Sequence, residues 1–186
     1  MFDHFDLLAP IYDWVIPPPD PTRLRELLRL PTEGRMLEAG GGTGRVASLL
    51  TPLVATLVIN DLSAPMLRKA QGKGSLHPVQ SYVELLPFSN NSFGRVLAVD
   101  AFHHFKDHRA AIGELLRVLR PGGRLVIEEP DIRQIPVKVV ALFEKLALMQ
   151  SHFYTAERIQ QLVVAHGVNA RIACMGDHAT CVVVDK

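Results

Sequence analysis

The chain has 186 residues, the usual size of one domain, and with 48% hydrophobic and 21% charged residues it can bury a core and is too apolar to read as disordered. Twenty Lys+Arg against 19 Asp+Glu leave a formal charge of +1, which gives no electrostatic footprint for a nucleic-acid backbone. No apolar run approaches the ~20 residues needed to span a bilayer, and the first residues carry Asp3 and Asp6 rather than the basic stretch of a secretory signal, so the expected location is cytoplasmic.

In chain order, the first 21 residues read as irregular, with Phe2, Phe5, Tyr12 and Trp14 ahead of Pro17-Pro18-Pro19. Leucines at 24, 27, 28 and 30 predict a short amphipathic helix over 22–30, ended by Pro31 and Gly34. Strands and helices then alternate. A strand over 35–39 enters a glycine loop, a helix over 45–50 stops near Pro52, and a strand follows over 55–60. A helix over 64–73 has Ser63 as its N-cap. Strands are predicted over 78–83 and 95–99, a helix over 107–119 halted by Pro121-Gly122-Gly123, and a strand over 124–128. Two helices (135–149 and 155–166, the second capped by Gly167) precede a terminal hairpin of 168–175 and 180–184, turned at Gly176-Asp177. Cys174 and Cys181 lie in that hairpin without metal-ligand spacing and read as reduced, small strand residues; no metal site is expected. The alternation implies an α/β fold, a mostly parallel sheet with an antiparallel C-terminal strand and helices on both faces.

The segment richest in chemistry is Met36-Leu37-Glu38-Ala39-Gly40-Gly41-Gly42-Thr43-Gly44, which a strand enters and a helix leaves. Glycines there let the backbone approach a ligand closely, and in doubly wound sheets the ligand crevice lies at the carboxyl ends of the strands. The spacing is ExGxGxG, not the GxGxxG of dinucleotide folds. A second acid, Asp61, ends the next strand, where a carboxylate can accept two hydrogen bonds from a ribose diol. A ligand that is cationic at one end, carries a free diol and has no phosphate fits both acids, and S-adenosylmethionine is such a ligand. The plainer alternative is a glycine-rich connector flanked by surface acids.

Four segments in order carry a family resemblance: Glu38 to Gly44; Asp61-Leu62-Ser63-Ala64-Pro65-Met66-Leu67; Glu84-Leu85-Leu86-Pro87-Phe88 with Ser92-Phe93; and Arg117-Val118-Leu119-Arg120-Pro121-Gly122-Gly123. With them the chain resembles the class I S-adenosylmethionine-dependent methyltransferases, especially the branch of the ubiquinone/menaquinone-biosynthesis C-methyltransferases, from about Phe5 to its last residue. The resemblance implies a Rossmann-like doubly wound fold in one domain over 1–186. Its parts would be an N-terminal lid and helix segment (1–31), a cofactor-binding half (32–134) and acceptor-side helices with the terminal hairpin (135–186). It also implies that Glu38, Ala39 and the loop Gly40, Gly41, Gly42, Thr43, Gly44 hold the methionine portion of the cofactor, and Asp61 the ribose. Leu62 and Met66 would pack near the adenine, and Tyr82, Val83 and Glu84 would meet its edge. Phe5-Asp6-Leu7-Leu8-Ala9-Pro10-Ile11-Tyr12-Asp13 resembles the family's opening segment, whose aromatic closes over the cofactor; hydrophobic anchoring of the N-terminus by Tyr12 and Trp14 is the alternative. Two positions depart from the pattern: Tyr82 stands where the family often has Asp for the adenine amine, and Gly94 where it favours Asp before the fourth strand.

The fourth strand runs into Asp100-Ala101-Phe102-His103-His104. By the same resemblance this end faces the methyl group, with Asp100 and Ala101 beside the cofactor and Asp100, His104 and Tyr12 lining the reaction site. His104 is the first candidate for acid–base work and His103 the second; a capping or core histidine is the alternative. Segments used for adenine or amide nitrogens (Asn-Pro-Pro-Tyr) are absent, so a small-molecule acceptor is expected and no nucleic acid. Glu128, Glu129, Asp131, Phe143, Met149, His152, Phe153 and Tyr154 fall where the family varies its acceptor pocket. That segment is short, so a large acceptor would lie in an open cleft or be enclosed by a second subunit of a homo-oligomer. A protein that binds the cofactor without turnover is the rival reading; the ExGxGxG spacing opposes a nucleotide-dependent oxidoreductase.

Overall fold

The computed structural model describes residues 9, 12–15, 19–135, 137–138, 151–176 and 179–186. Seven strands form one sheet: β1 (Thr32–Ala39), β2 (Val54–Asp61), β3 (Leu76–Gln80), β4 (Phe93–Val99), β5 (Leu119–Pro130), β6 (Ala170–Gly176) and β7 (Ala179–Asp185). Their spatial order is β3-β2-β1-β4-β5-β7-β6. The first five pair in parallel, and β7 runs antiparallel to both β5 and β6. The helices are α1 (Tyr12–Val15), α2 (Pro21–Leu28), α3 (Ala47–Leu50), α4 (Ala64–Gln71), α5 (His108–Val118) and α6 (Ala156–Val164).

Side-chain alternation along the strands sorts the apolar residues into two cores. Leu37, Val58, Val96, Ala98, Leu125, Ile127, Val182 and Val184 face one side, where Ile112 and Leu115 of α5 and Ile159 and Val163 of α6 cover them. Met36, Leu57, Ile59, Leu97, Val99, Val126 and Val183 face the other, under Leu24 and Leu28 of α2, Ala47 and Leu50 of α3, and Leu67 and Ala70 of α4. This is the doubly wound arrangement expected from the alternation of elements. Ser63 caps α4 as predicted, accepting the Met66 N–H at 3.3 Å.

Two expectations are corrected. The strand predicted over 78–83 is Leu76–Gln80 instead, and Val83–Leu85 forms a 3₁₀ turn. The side-chain amide of buried Asn60 donates to the Ser81 carbonyl at 2.9 Å and its hydroxyl at 2.7 Å, turning the chain off the sheet edge before Val83. Pro78 is tolerated because β3 is the outermost strand. Cys174 and Cys181, expected as separate thiols, are joined as a disulfide. β6 has a bulge between Ile172 and Cys174, without which Cys174 would lie opposite Thr180 rather than Cys181. With it the two Cα atoms are 4.9 Å apart, within bridging range. The helix predicted over 135–149 lies, from 139 on, outside the described residues, as do Asp177 of the hairpin turn and residues 5–8, 10 and 11 of the opening segment.

Gly94 sits at the opposite end of β4 from Asp100, and a Cβ there would come 3.0 Å from the Arg120 guanidinium. That departure therefore concerns packing at the sheet's far end. Its neighbour Phe93 is fully buried, with its ring edge-on to Phe88 at 5.0 Å. Phe93→Ala is expected to lower the unfolding free energy by roughly 3–5 kcal/mol in denaturant titrations; a loss below about 1 kcal/mol would remove Phe93 from the core.

Candidate active site

The order of the parallel strands reverses between β1 and β4, the switch point where doubly wound sheets open a crevice at the strand carboxyl ends. Glu38 stands near the end of β1 and Asp61 ends β2, and Asp100 follows β4 directly, so three carboxylates meet there. The glycine loop leaves β1 between them. Gly40 has φ +69°, and a Cβ on it would lie 2.5 Å from that of Ala101, so loop and β4 turn touch backbone to side chain. Gly42, at φ +54°, has its open side toward the crevice: the nearest atom to a Cβ there is Asp61 Oδ2 at 4.0 Å.

Each carboxylate is held differently. Asp61 accepts the Gly42 N–H at 2.8 Å on Oδ2 and the Ser63 N–H at 2.8 Å on Oδ1, which fixes its plane. Glu38 is buried, and its Oε2 has no hydrogen-bond partner among the described residues. Burial pushes its carboxyl up to about 8, with Asp61 and Asp100 adding to the rise against Arg45. Asp100 adopts φ +49°, a left-handed conformation that costs a non-glycine residue about 1 kcal/mol. Burial also raises its carboxyl, while Arg45 draws it down and Glu129 adds to the rise.

Arg45 makes the central ion pair, Nη2 to Asp100 Oδ2 at 2.5 Å, with its side chain only 8% exposed. It also hydrogen-bonds the Tyr12 phenol, which burial raises above its ordinary value and Arg45 draws back. On the other side of the loop, Asp13 of α1 accepts hydrogen bonds from the Thr43 hydroxyl and the Lys73 ammonium. The short helix α1 thus contributes Tyr12 to the crevice and Asp13 to the loop.

Glu129 organises the turn after β4. It accepts the backbone N–H groups of Ala101 at 2.9 Å, Phe102 at 2.8 Å and His103 at 3.3 Å, and the His103 ring at 2.5 Å. His103 is buried between this carboxylate and Phe153, stacked at 4.2 Å. His104 bonds Ser151 through Nδ1 at 3.1 Å. Burial, with His103 beside it, pushes His104 down to about 2, so its imidazole stays neutral and is a weak proton acceptor. Both histidines pack at the turn after β4, His103 against Glu129 and His104 against Ser151.

The remaining expected residues divide. Tyr82 and Leu62 are 55% and 42% exposed on the outer side of the crevice. Met66 is buried on α4, and Val83 belongs to the core rather than the opening. The Glu84 side chain turns away, accepting the N–H groups of Lys106 at 2.8 Å and Asp107 at 3.1 Å. Structure brings Glu38, the glycine loop, Asp61, Asp100 and Tyr12 together. It adds Arg45 and Asn60, which the sequence reading missed as site residues, and puts Glu129, expected near the acceptor pocket, on the β4 turn. Arg45 had one available signal, a cation adjoining a loop whose neighbours are acidic.

Comparison with known proteins agrees with this geometry. A family model described as "Methyltransferase domain" matches residues 37–127. The demethylmenaquinone methyltransferase of Thermus thermophilus is 38% identical over 102 residues, 51% of this chain and 46% of that protein. The ubiquinone/menaquinone biosynthesis C-methyltransferase UbiE of Coxiella burnetii is 36% identical over 111 residues, 54% of this chain and 44% of that protein. The chain thus spans about half the length of the curated relatives it matches. In fold it is similar to a SAM-dependent methyltransferase from Thermotoga maritima, a possible histamine N-methyltransferase, at TM-score 0.75 and 18% identity over 98% of this chain and 99% of that one. The strand order and the acid-lined glycine loop coincide with the family match: residues 37–127 are similar to the methyltransferase domain family, and the fold is the Rossmann-like one of SAM-dependent methyltransferase structures.

Proposed function

We propose that the chain catalyses methyl transfer from S-adenosylmethionine to a small-molecule acceptor of the quinone-precursor kind, by in-line displacement. The observation that carries this reading is the acid-lined cradle: a buried Glu38 oxygen without a hydrogen-bond partner among the described residues, beside a glycine loop open toward Asp61. The acceptor class rests on the relatives named for menaquinone and ubiquinone methylation. Cytoplasmic residence is part of the same reading; among the described residues no helix is long and apolar enough to cross a membrane.

When bound, S-adenosylmethionine supplies a methyl group already activated on a sulfonium. The chain's own residues bind and orient. Glu38 faces the ammonium end, the Asp61 carboxylate accepts the ribose hydroxyls, and Leu62 and Tyr82 flank the adenine from the open side. Asp100, with a raised carboxyl at the end of β4, receives the proton that the acceptor loses, a role its surroundings suit better than those of His104 do. Glu129 holds the turn that presents it. Much of the rate then comes from alignment, for which effective molarities reach roughly 10⁵–10⁸ M.

Calorimetric titration tests the cofactor assignment. S-adenosylmethionine and S-adenosylhomocysteine should bind and NAD should not, and Asp61→Ala should weaken the adenosyl ligands roughly tenfold to hundredfold. Absence of adenosyl binding by folded protein would overturn the proposal. Transfer of a labelled methyl group to a demethylated naphthoquinol then tests the acceptor, and binding without turnover on any acceptor would establish the silent alternative.

Glu38 gives a pH dependence with a definite sign. Its folded value of about 8 lies above its ordinary 4.5. Without ligand, its stabilising contribution is complete below the unfolded value and is lost as pH rises through about 8. Denaturant midpoints should therefore fall over that window in the wild type and fall less in Glu38→Gln. A cation placed beside Glu38 ionises it, so cofactor binding near neutrality should release a proton, seen as a dependence of the calorimetric heat on buffer. Equal proton release by Glu38→Gln would remove Glu38 from the cationic end.

A further inference from the structure

The crevice gathers three carboxylates and one desolvated guanidinium. Arg45 immediately follows the glycine loop. It is buried against Asp100 at 2.5 Å, is hydrogen-bonded to Tyr12, and its charge reaches Glu38. Lys73, the other cation against the loop, is engaged by Asp13 and Thr43 on the side of α1. A buried guanidinium is retained at a cost unless its fork is well matched, and its planar donors suit a carboxylate better than an ammonium does.

The chemistry of the cofactor's amino-acid end makes this placement informative. That end carries an ammonium and a carboxylate together. A cradle lined by Glu38, Asp61 and Asp100 alone would repel the carboxylate and favour a more cationic ligand that lacks it. A positive group at the loop, beside the residue that meets the ammonium, favours recognition of the whole zwitterion. Arg45 adjoins the loop, and its guanidinium pairs with the Asp100 carboxylate.

We propose that Arg45 is a specificity-determining residue for the cofactor: its guanidinium binds the carboxylate of the methionine end while keeping contact with Asp100. It thereby selects against decarboxylated adenosyl ligands and links cofactor binding to the acid at the methyl-transfer end of the crevice. Tyr12 is hydrogen-bonded to the same guanidinium. This inference rests on the cofactor reading above.

The test compares two ligands that differ only in the carboxylate, S-adenosylhomocysteine and its decarboxylated counterpart, 5′-deoxyadenosyl-3-thiopropylamine. Each is titrated calorimetrically into wild type, Arg45→Gln, Arg45→Lys and Lys73→Met, with thermal melts to confirm folding. In the wild type the carboxylate-bearing ligand should bind tighter by roughly tenfold to hundredfold, the scale of a charged hydrogen bond. In Arg45→Gln the ratio should fall to about one or invert, as three acids then favour the more cationic ligand. Arg45→Lys should recover part of the preference, and it decides the matter if Arg45→Gln does not fold. An unchanged ratio in Arg45→Gln, or a ratio lost in Lys73→Met instead, would overturn the assignment. If the wild type binds neither ligand, the cofactor reading itself fails, a result separable from equal binding of both.

Discussion

Parallel pairing of β1 with both β2 and β4 forces three acidic residues into one space. Each lies at or just beyond a strand's carboxyl end, where the side chain faces the crevice and the backbone offers partners only from loops. Mutual repulsion and loss of water would together prevent all three from staying ionised. Asp61 meets this constraint with two backbone N–H groups, Asp100 with Arg45, and Glu38 by holding its proton. The least compensated acid is the one beside the glycine loop, which leaves the crevice poised for a cation.

A second ring of polar residues keeps the first in place. Arg23 of α2 reaches across to Glu128 on β5 with a forked pair, 2.7 and 3.2 Å, and ties the covering helix to the sheet where the crevice opens. One residue further, Glu129 spans three successive N–H groups of the β4 turn. That carboxylate does for the turn what an N-cap does for a helix, and it stabilises the left-handed backbone at Asp100. Glu128 and Glu129 point to opposite faces of β5, so one strand end anchors both α2 and the β4 turn.

The glycine loop, its acid and Asp61 were legible in the sequence because their meaning is local: spacing, strand ends and a turn that needs glycine. The sheet was legible because alternation along 36–37, 57–59 and 96–99 survives in the structure as two separate cores. Arg45 was not legible, since its partner is 55 positions away and only the crossover from β1 to β4 brings them together. His104 reads as a catalytic histidine by position, yet its character depends on burial under Ser151 and His103, which a sequence cannot show. The cysteine bridge depends on a single-residue bulge in β6. In each case the missing information was a neighbour distant in sequence or a local shift of register.

The placement of β7 between β5 and β6 has a consequence for how the protein is made. β7 follows both of its neighbours in sequence, so β6 has no partner in the sheet and β5 keeps an open edge until residues 179–185 leave the ribosome. The five parallel strands can assemble earlier, since each pairs only within residues 32–130. During that interval the edge of β5, rich in Leu125, Val126 and Ile127, is an available template for strands of other chains. Pairing of β7 with β5 closes that edge.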